Sequence, residues 1–146
     1  MPNWREITEA DLAASISQRE IDTYRRDGAS QDGSDPVDRL LASTVSLVRG
    51  YCAMNGAVRL GPAATIPASL VIPAMDYAMA KLLNRIAVPL NEDRRNALRR
   101  AEEIFDAIAK GAVTPESYSE DDSPDEASRP ASAPAFADAT PARLLD

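Results

Sequence analysis

The sequence predicts an all-α protein: a small bundle of four to five helices followed by an extended acidic, proline-rich C-terminal tail. Three observations carry this prediction. Apolar residues recur at steps of three and four through most of the first 110 positions. Capping residues open those stretches, and glycine or proline closes them. After Thr114 the composition shifts to Ala, Ser, Asp, Glu and spaced prolines. Such a segment cannot bury enough apolar surface to offset its ordering entropy. The expected organisation is a helical body over residues 1–113 and a low-complexity tail over 114–146, ordered only on a partner.

Thr8 opens a first short helix, with Asp11 three residues on to support the cap and Ile7 placed to staple against Leu12. Ser17 and Glu20 are spaced as a capping box for a second helix, which Gly28 ends, and Ile21 and Tyr24 point inward. Trp4 is expected as a lid on this pair. Gly28 to Ser34 is a polar loop that lacks the GxxxxGK spacing of a phosphate cradle and any preceding apolar strand.

The longest helix runs from Asp35, a good N-cap, with Pro36 at the first helical position. Val37, Leu40, Leu41, Thr44, Val45, Val48, Tyr51 and Cys52 form its buried stripe, and Asn55 and Gly56 are expected to close it in the left-handed conformation. Asp38, Arg39, Ser43, Ser46 and Arg49 lie on the other side, toward water or an identical neighbour. The loop AVRLGPAATIP then leaves two readings open: a projection that touches another subunit, or a cover over its own core.

Helical spacing resumes from Ala68 to Ala87. Pro73 either kinks this helix or marks its first turn, and a short turn over Pro67 to Ile72 leading into the main helix is favoured. Met75 and Met79 read as flexible core fillers. Asn91 caps a last helix with Glu92 and Asp93 in its first turn; Leu98, Ala101, Phe105 and Ile108 face inward, and Lys110 and Gly111 end it. The predicted core is Leu12, Ile16, Ile21, Leu40, Leu41, Val45, Val48, Leu82, Ile86, Leu98, Phe105 and Ile108.

The chain has 146 residues and a formal charge of −7, of which −6 falls after Thr114. A body near −1 lacks the uniformly basic surface of a duplex-binding protein. Cys52, the only cysteine, reads as a small buried hydrophobe, and the start has no apolar signal run. A cytosolic, reduced protein without a membrane span is expected. With no histidine, the commonest general base and metal ligand is missing, and the carboxylates sit in caps, outer faces and tail. The expectation is a non-enzyme with no cofactor and no metal.

The densest basic cluster is Arg94, Arg95, Arg99 and Arg100 on the last helix. It reads either as a solvated face partly paired with Glu92, Glu102, Glu103 and Asp106, or as a subunit-interface or DNA-facing surface. Two classes follow: a structural module of a larger assembly, or a small helical DNA-binding regulator using a helix-turn-helix.

Taken together, WREITEADL, SQREID, DPVDRLLASTVSLVRGY, TIPASLVIPAMDYAMAKLLNRI and NEDRRNALRRAEEIFDAIAKG, in that order over residues 4 to 113, resemble the head-tail adaptor (connector) proteins of long-tailed double-stranded DNA phages and gene transfer agents. The resemblance implies a homo-oligomeric ring, commonly of twelve copies, beneath the portal at the capsid vertex. Such a ring continues the DNA channel, with DNA as passing cargo, and presents a platform for the neck or tail-completion protein. It implies a place in a virion or virion-like particle assembled in the host cytoplasm, and no catalytic residue. A terminal segment often reaches the portal in that family, which gives the tail a role as a docking strap with Tyr118, Phe136, Leu144 and Leu145 as apolar anchors.

Overall fold

A computed structural model describes residues 2–28 and 33–119. Five α-helices dominate these residues: α1 (Glu9–Ala13), α2 (Gln18–Asp27), α3 (Pro36–Met54), α4 (Val71–Arg85) and α5 (Glu92–Ala109). Two short strands, β1 (Trp4–Arg5) and β2 (Ile66–Pro67), pair antiparallel with Trp4 opposite Pro67 and Arg5 opposite Ile66. α3 and α4 form the centre, since each packs on all the other helices.

Local chemistry explains most of the boundaries. The Thr8 amide donates to the Asp11 carboxylate at 2.8 Å, and Ser17 and Glu20 form a reciprocal capping box. Asp35 accepts from the Val37 amide with Pro36 in the first turn of α3, and Asn91 accepts from the Arg94 amide. Gly111, with φ of +81°, takes the left-handed position after α5, and Ala112 N–H returns to the Ala107 carbonyl at 2.9 Å. Pro73 lies in the first turn of α4, behind a 3-10 turn over Ala68–Leu70, and so displaces no helical hydrogen bond.

Two helix ends differ from expectation. Asn55 does not turn left-handed; its φ is −91°, and its buried side chain does the closing. Its oxygen accepts from the Ala57 amide, while its Nδ2 donates to the Val113 carbonyl at 3.1 Å. After α4 it is Ala87, at φ +59°, that takes the left-handed position, letting Val88 N–H reach the Leu83 carbonyl ahead of Pro89.

The core joins Leu12, Ile16, Ile21, Leu40, Leu41, Val45, Val48, Leu82, Phe105 and Ile108 as expected. Two expected members fall outside its buried interior. Ile86 is half-buried at the C-terminal end of α4, and Leu98 is half-buried along a groove beside Tyr77 and Leu90. Trp4 is a full core member rather than a lid, being 1% exposed. Met75 and Met79 fill the interior, and burial pushes the Cys52 thiol up to about 11. Tyr51 stacks on Phe105 with ring centroids 5.4 Å apart, and Tyr77 meets the same ring edge-on.

The loop between α3 and β2 folds over its own core. Arg49 reaches from the edge of the α3 stripe and donates to the carbonyls of Gly61, Pro62 and Thr65 at 3.0, 2.8 and 2.8 Å, with its guanidinium 5.7 Å from the Trp4 ring. Gly61 sits where a Cβ would come within 2.8 Å of the Tyr118 ring, so the close approach of loop and C-terminal segment requires glycine there. Among the described residues, no helix is long and apolar enough to cross a membrane.

Candidate functional site

The four arginines grouped by sequence on α5 separate in space. Arg94 lies on the inner flank of the helix and forms a two-pronged ion pair with Glu20 of α2, at 3.1 and 3.2 Å. Both side chains are partly shielded, at 26% and 20% exposed. The hydrogen bond from Arg94, with those from the Ser17 amide and hydroxyl, holds the Glu20 carboxyl below the usual glutamate range against the opposing effect of burial. Arg94 thus ties α5 to the capping box of α2.

Arg95 is exposed and donates back to the Leu90 carbonyl at 2.6 Å, bracing the turn before α5. Arg99 and Arg100 are exposed and form no ion pair among the described residues. The partners foreseen from helical spacing are not used by this row: Asp106 pairs with Lys110, and the other acidic side chains of α5 pair with no arginine. Arg100 acts at longer range on Asp76 of α4, whose carboxyl is pushed up by burial and partly drawn back by that charge. What remains for an outside partner is a strip of three guanidinium groups, one of them tethered.

The second candidate is the C-terminal segment. Its first residues, grouped with the tail by composition, lie on the body. Pro115 is buried, and the Glu116 carbonyl accepts from the Trp4 indole at 2.9 Å. The Glu116 carboxylate takes the Ser69 amide and hydroxyl at the start of the turn leading into α4. Ser117 and Ser119 are clamped by the Asn3 side chain, and Tyr118 N–H donates to the Arg59 carbonyl at 2.8 Å beneath the Arg59 guanidinium. The folded body therefore extends to Ser119 rather than ending at 113, and Tyr118 serves as an internal anchor. Phe136, Leu144 and Leu145 lie outside the described residues.

No group of histidine, cysteine, aspartate and glutamate able to hold a metal ion occurs among the described residues. In the α1–α2 pair, where a helix-turn-helix was considered, Arg25 is used internally, whereas Arg19 and Arg26 are exposed and form no ion pair among the described residues. Arg25 is held by Glu9 at 2.6 Å and Asp35 at 3.1 Å, and Arg5 by Asp11 at 3.0 Å. Sequence spacing does contain the clue to Arg94: one step of four back from Leu98 on the inner stripe lands on it. Nothing local marks Glu20 as its partner. No family model, curated protein or solved structure matches this chain.

Proposed function

We propose that this chain is a structural, non-enzymatic head-tail adaptor: a helical subunit that assembles into a ring beneath the portal of a virion or virion-like particle. There the ring continues the DNA channel and offers a platform to the neck and tail. The order and spacing of the capped segments from Trp4 onward motivate this reading. The observation that supports it best is the exposed row of Arg95, Arg99 and Arg100 on a body whose net charge is close to zero and which leads into an acidic tail. A head-to-tail ring needs two different, complementary surfaces on every copy, and a cationic strip with acidic groups elsewhere meets that need. The free protein can remain monomeric, with the portal as template.

Replacing Arg95→Glu and Arg99→Glu together tests the assignment. The expected result is a protein with unchanged helical circular dichroism and a small shift in melting, but reduced attachment of tails to filled heads. A normal yield of complete particles would remove the arginine row from assembly. A gel shift with duplex DNA at physiological salt addresses the regulator reading: sequence-preferring binding would replace the adaptor assignment, since an adaptor passes DNA without reading it.

A further inference from the structure

We infer that the acidic run Glu120–Glu126 of one copy docks into a basic cavity at the opposite end of the next copy, making a head-to-tail contact separate from the α5 row. The cavity, of about 440 Å³, opens where the end of α2 meets the start of α3 and the end of α4. Tyr24, Arg39, Ser43, Lys81 and Arg85 line it, and among the described residues no carboxylate does. Arg85 forms no ion pair among the described residues, and Lys81 has the Tyr77 ring at 5.6 Å as its neighbour. Arg39 is already held by the Gly28 carbonyl and Ser34, so Lys81 and Arg85 are the cations this concavity offers to a ligand bearing several carboxylates.

The chain itself carries such a ligand. Glu120, Asp121, Asp122, Asp125 and Glu126 place five carboxylates in seven residues without a compensating cation. The run begins immediately after Ser119, which Asn3 holds beside the loop at the start of α4. The cavity lies at the other end of that helix, at Lys81 and Arg85. The 15 residues of α4 span about 21 Å at 1.5 Å per residue. Residues 120–122 reach only about 10 Å even when fully extended, and only the far end of the run matches the length of the helix. The first three carboxylates therefore cannot enter the cavity of their own chain, whereas a neighbouring copy faces no such limit. An acidic run that follows Ser119 near the start of α4, and a cationic cavity at the end of α4, would give a heterologous contact, the kind that closes a ring when the rotation permits.

This inference rests on the assembly reading only for the ring; the contact itself is measured on the free full-length protein. Equal amounts of 14N- and 15N-labelled chain at about 0.1–1 mM, near the effective concentration of tethered neighbours, are treated with a carbodiimide that joins carboxylates to lysine. Mixed-label products linking Lys81 to a carboxylate within 120–126 are expected. They should fall by about tenfold in Arg85→Glu and persist in Arg85→Lys. Same-label products alone, or a Lys81 that joins no carboxylate of the run, would overturn the contact. So would protection of Lys81 by duplex DNA at physiological salt that Arg85→Glu relieves, which would make the cavity a phosphate site. Mixed-label linkage in a protein whose Arg95→Glu, Arg99→Glu variant still builds normal particles would keep this contact and retire the arginine row.

Discussion

Arg94 and Arg99 stand five residues apart on the same helix and do opposite work. Five residues turn an α-helix by roughly 140°, so one guanidinium faces α2 and the other faces solvent. Arg94, like Arg49 on α3, connects elements distant in sequence: the first joins α5 to the cap of α2, the second holds a whole loop by three carbonyls. Arg99 and Arg100 form no ion pair within the described residues. Cationic density along the sequence therefore says little about which charges are available to a partner; that depends on which surface each side chain meets.

The comparison is sharpest at Arg49. Arg49→Ala should cost about 2–4 kcal/mol, because three backbone carbonyls lose a charged donor and Trp4 loses its cation. Urea unfolding followed by tryptophan fluorescence would read this. An unchanged midpoint would mean that Trp4 and Ile66 hold the loop by packing alone.

Arg94→Ala is expected to cost about 1 kcal/mol, since its pair with Glu20 is only partly shielded from water. It also changes the response to acid. The Glu20 carboxyl lies below its ordinary 4.5 in the folded protein, so its contribution is present above that pH and is lost as the pH falls through the lower folded value. Removing Arg94 should flatten this part of the acid dependence of stability. An equally steep loss in the variant would assign the acid sensitivity to Asp11 and Asp35, which Arg5 and Arg25 hold down in the same way.

Arg99→Ala and Arg100→Ala should each change stability by no more than about 0.5 kcal/mol. Arg100→Ala should still move the Asp76 carboxyl further upward, because the charge that partly opposes its burial is gone. Titration by carbon-detected NMR would show the shift. A marked fall in stability from either substitution would place these arginines with Arg94, among the ties of the body.

The helices were legible because their signals are local. The Asp35–Pro36 start, the Ser17–Glu20 box, the Asn91 cap and the Gly111 stop each involve atoms within a few residues of one another. The same locality misled at Asn55 and at the tail boundary. Composition marks Thr114 onward as unable to fold alone, yet residues 114–119 are ordered by Trp4, Asn3, Arg59 and Ser69, at separations of 47 to 116 residues. Nothing in the first dozen residues announces a strand that pairs with Ile66 and Pro67, so local pattern suggests a lid where Trp4 is a core member.

By itself, the sequence determined an all-α bundle of four to five helices, the helix starts at Thr8, Ser17, Asp35 and Asn91, and most of the buried stripe of each, since period and capping chemistry act over one or two turns. Only the tertiary structure decided that α3 and α4 share the centre and that the 56–67 loop covers its own core. It also decided that Glu116 closes on Ser69, and that of four neighbouring arginines one is committed inward. These choices depend on which surfaces meet after collapse, and a hydrogen bond between groups a hundred residues apart leaves no periodic trace in the chain.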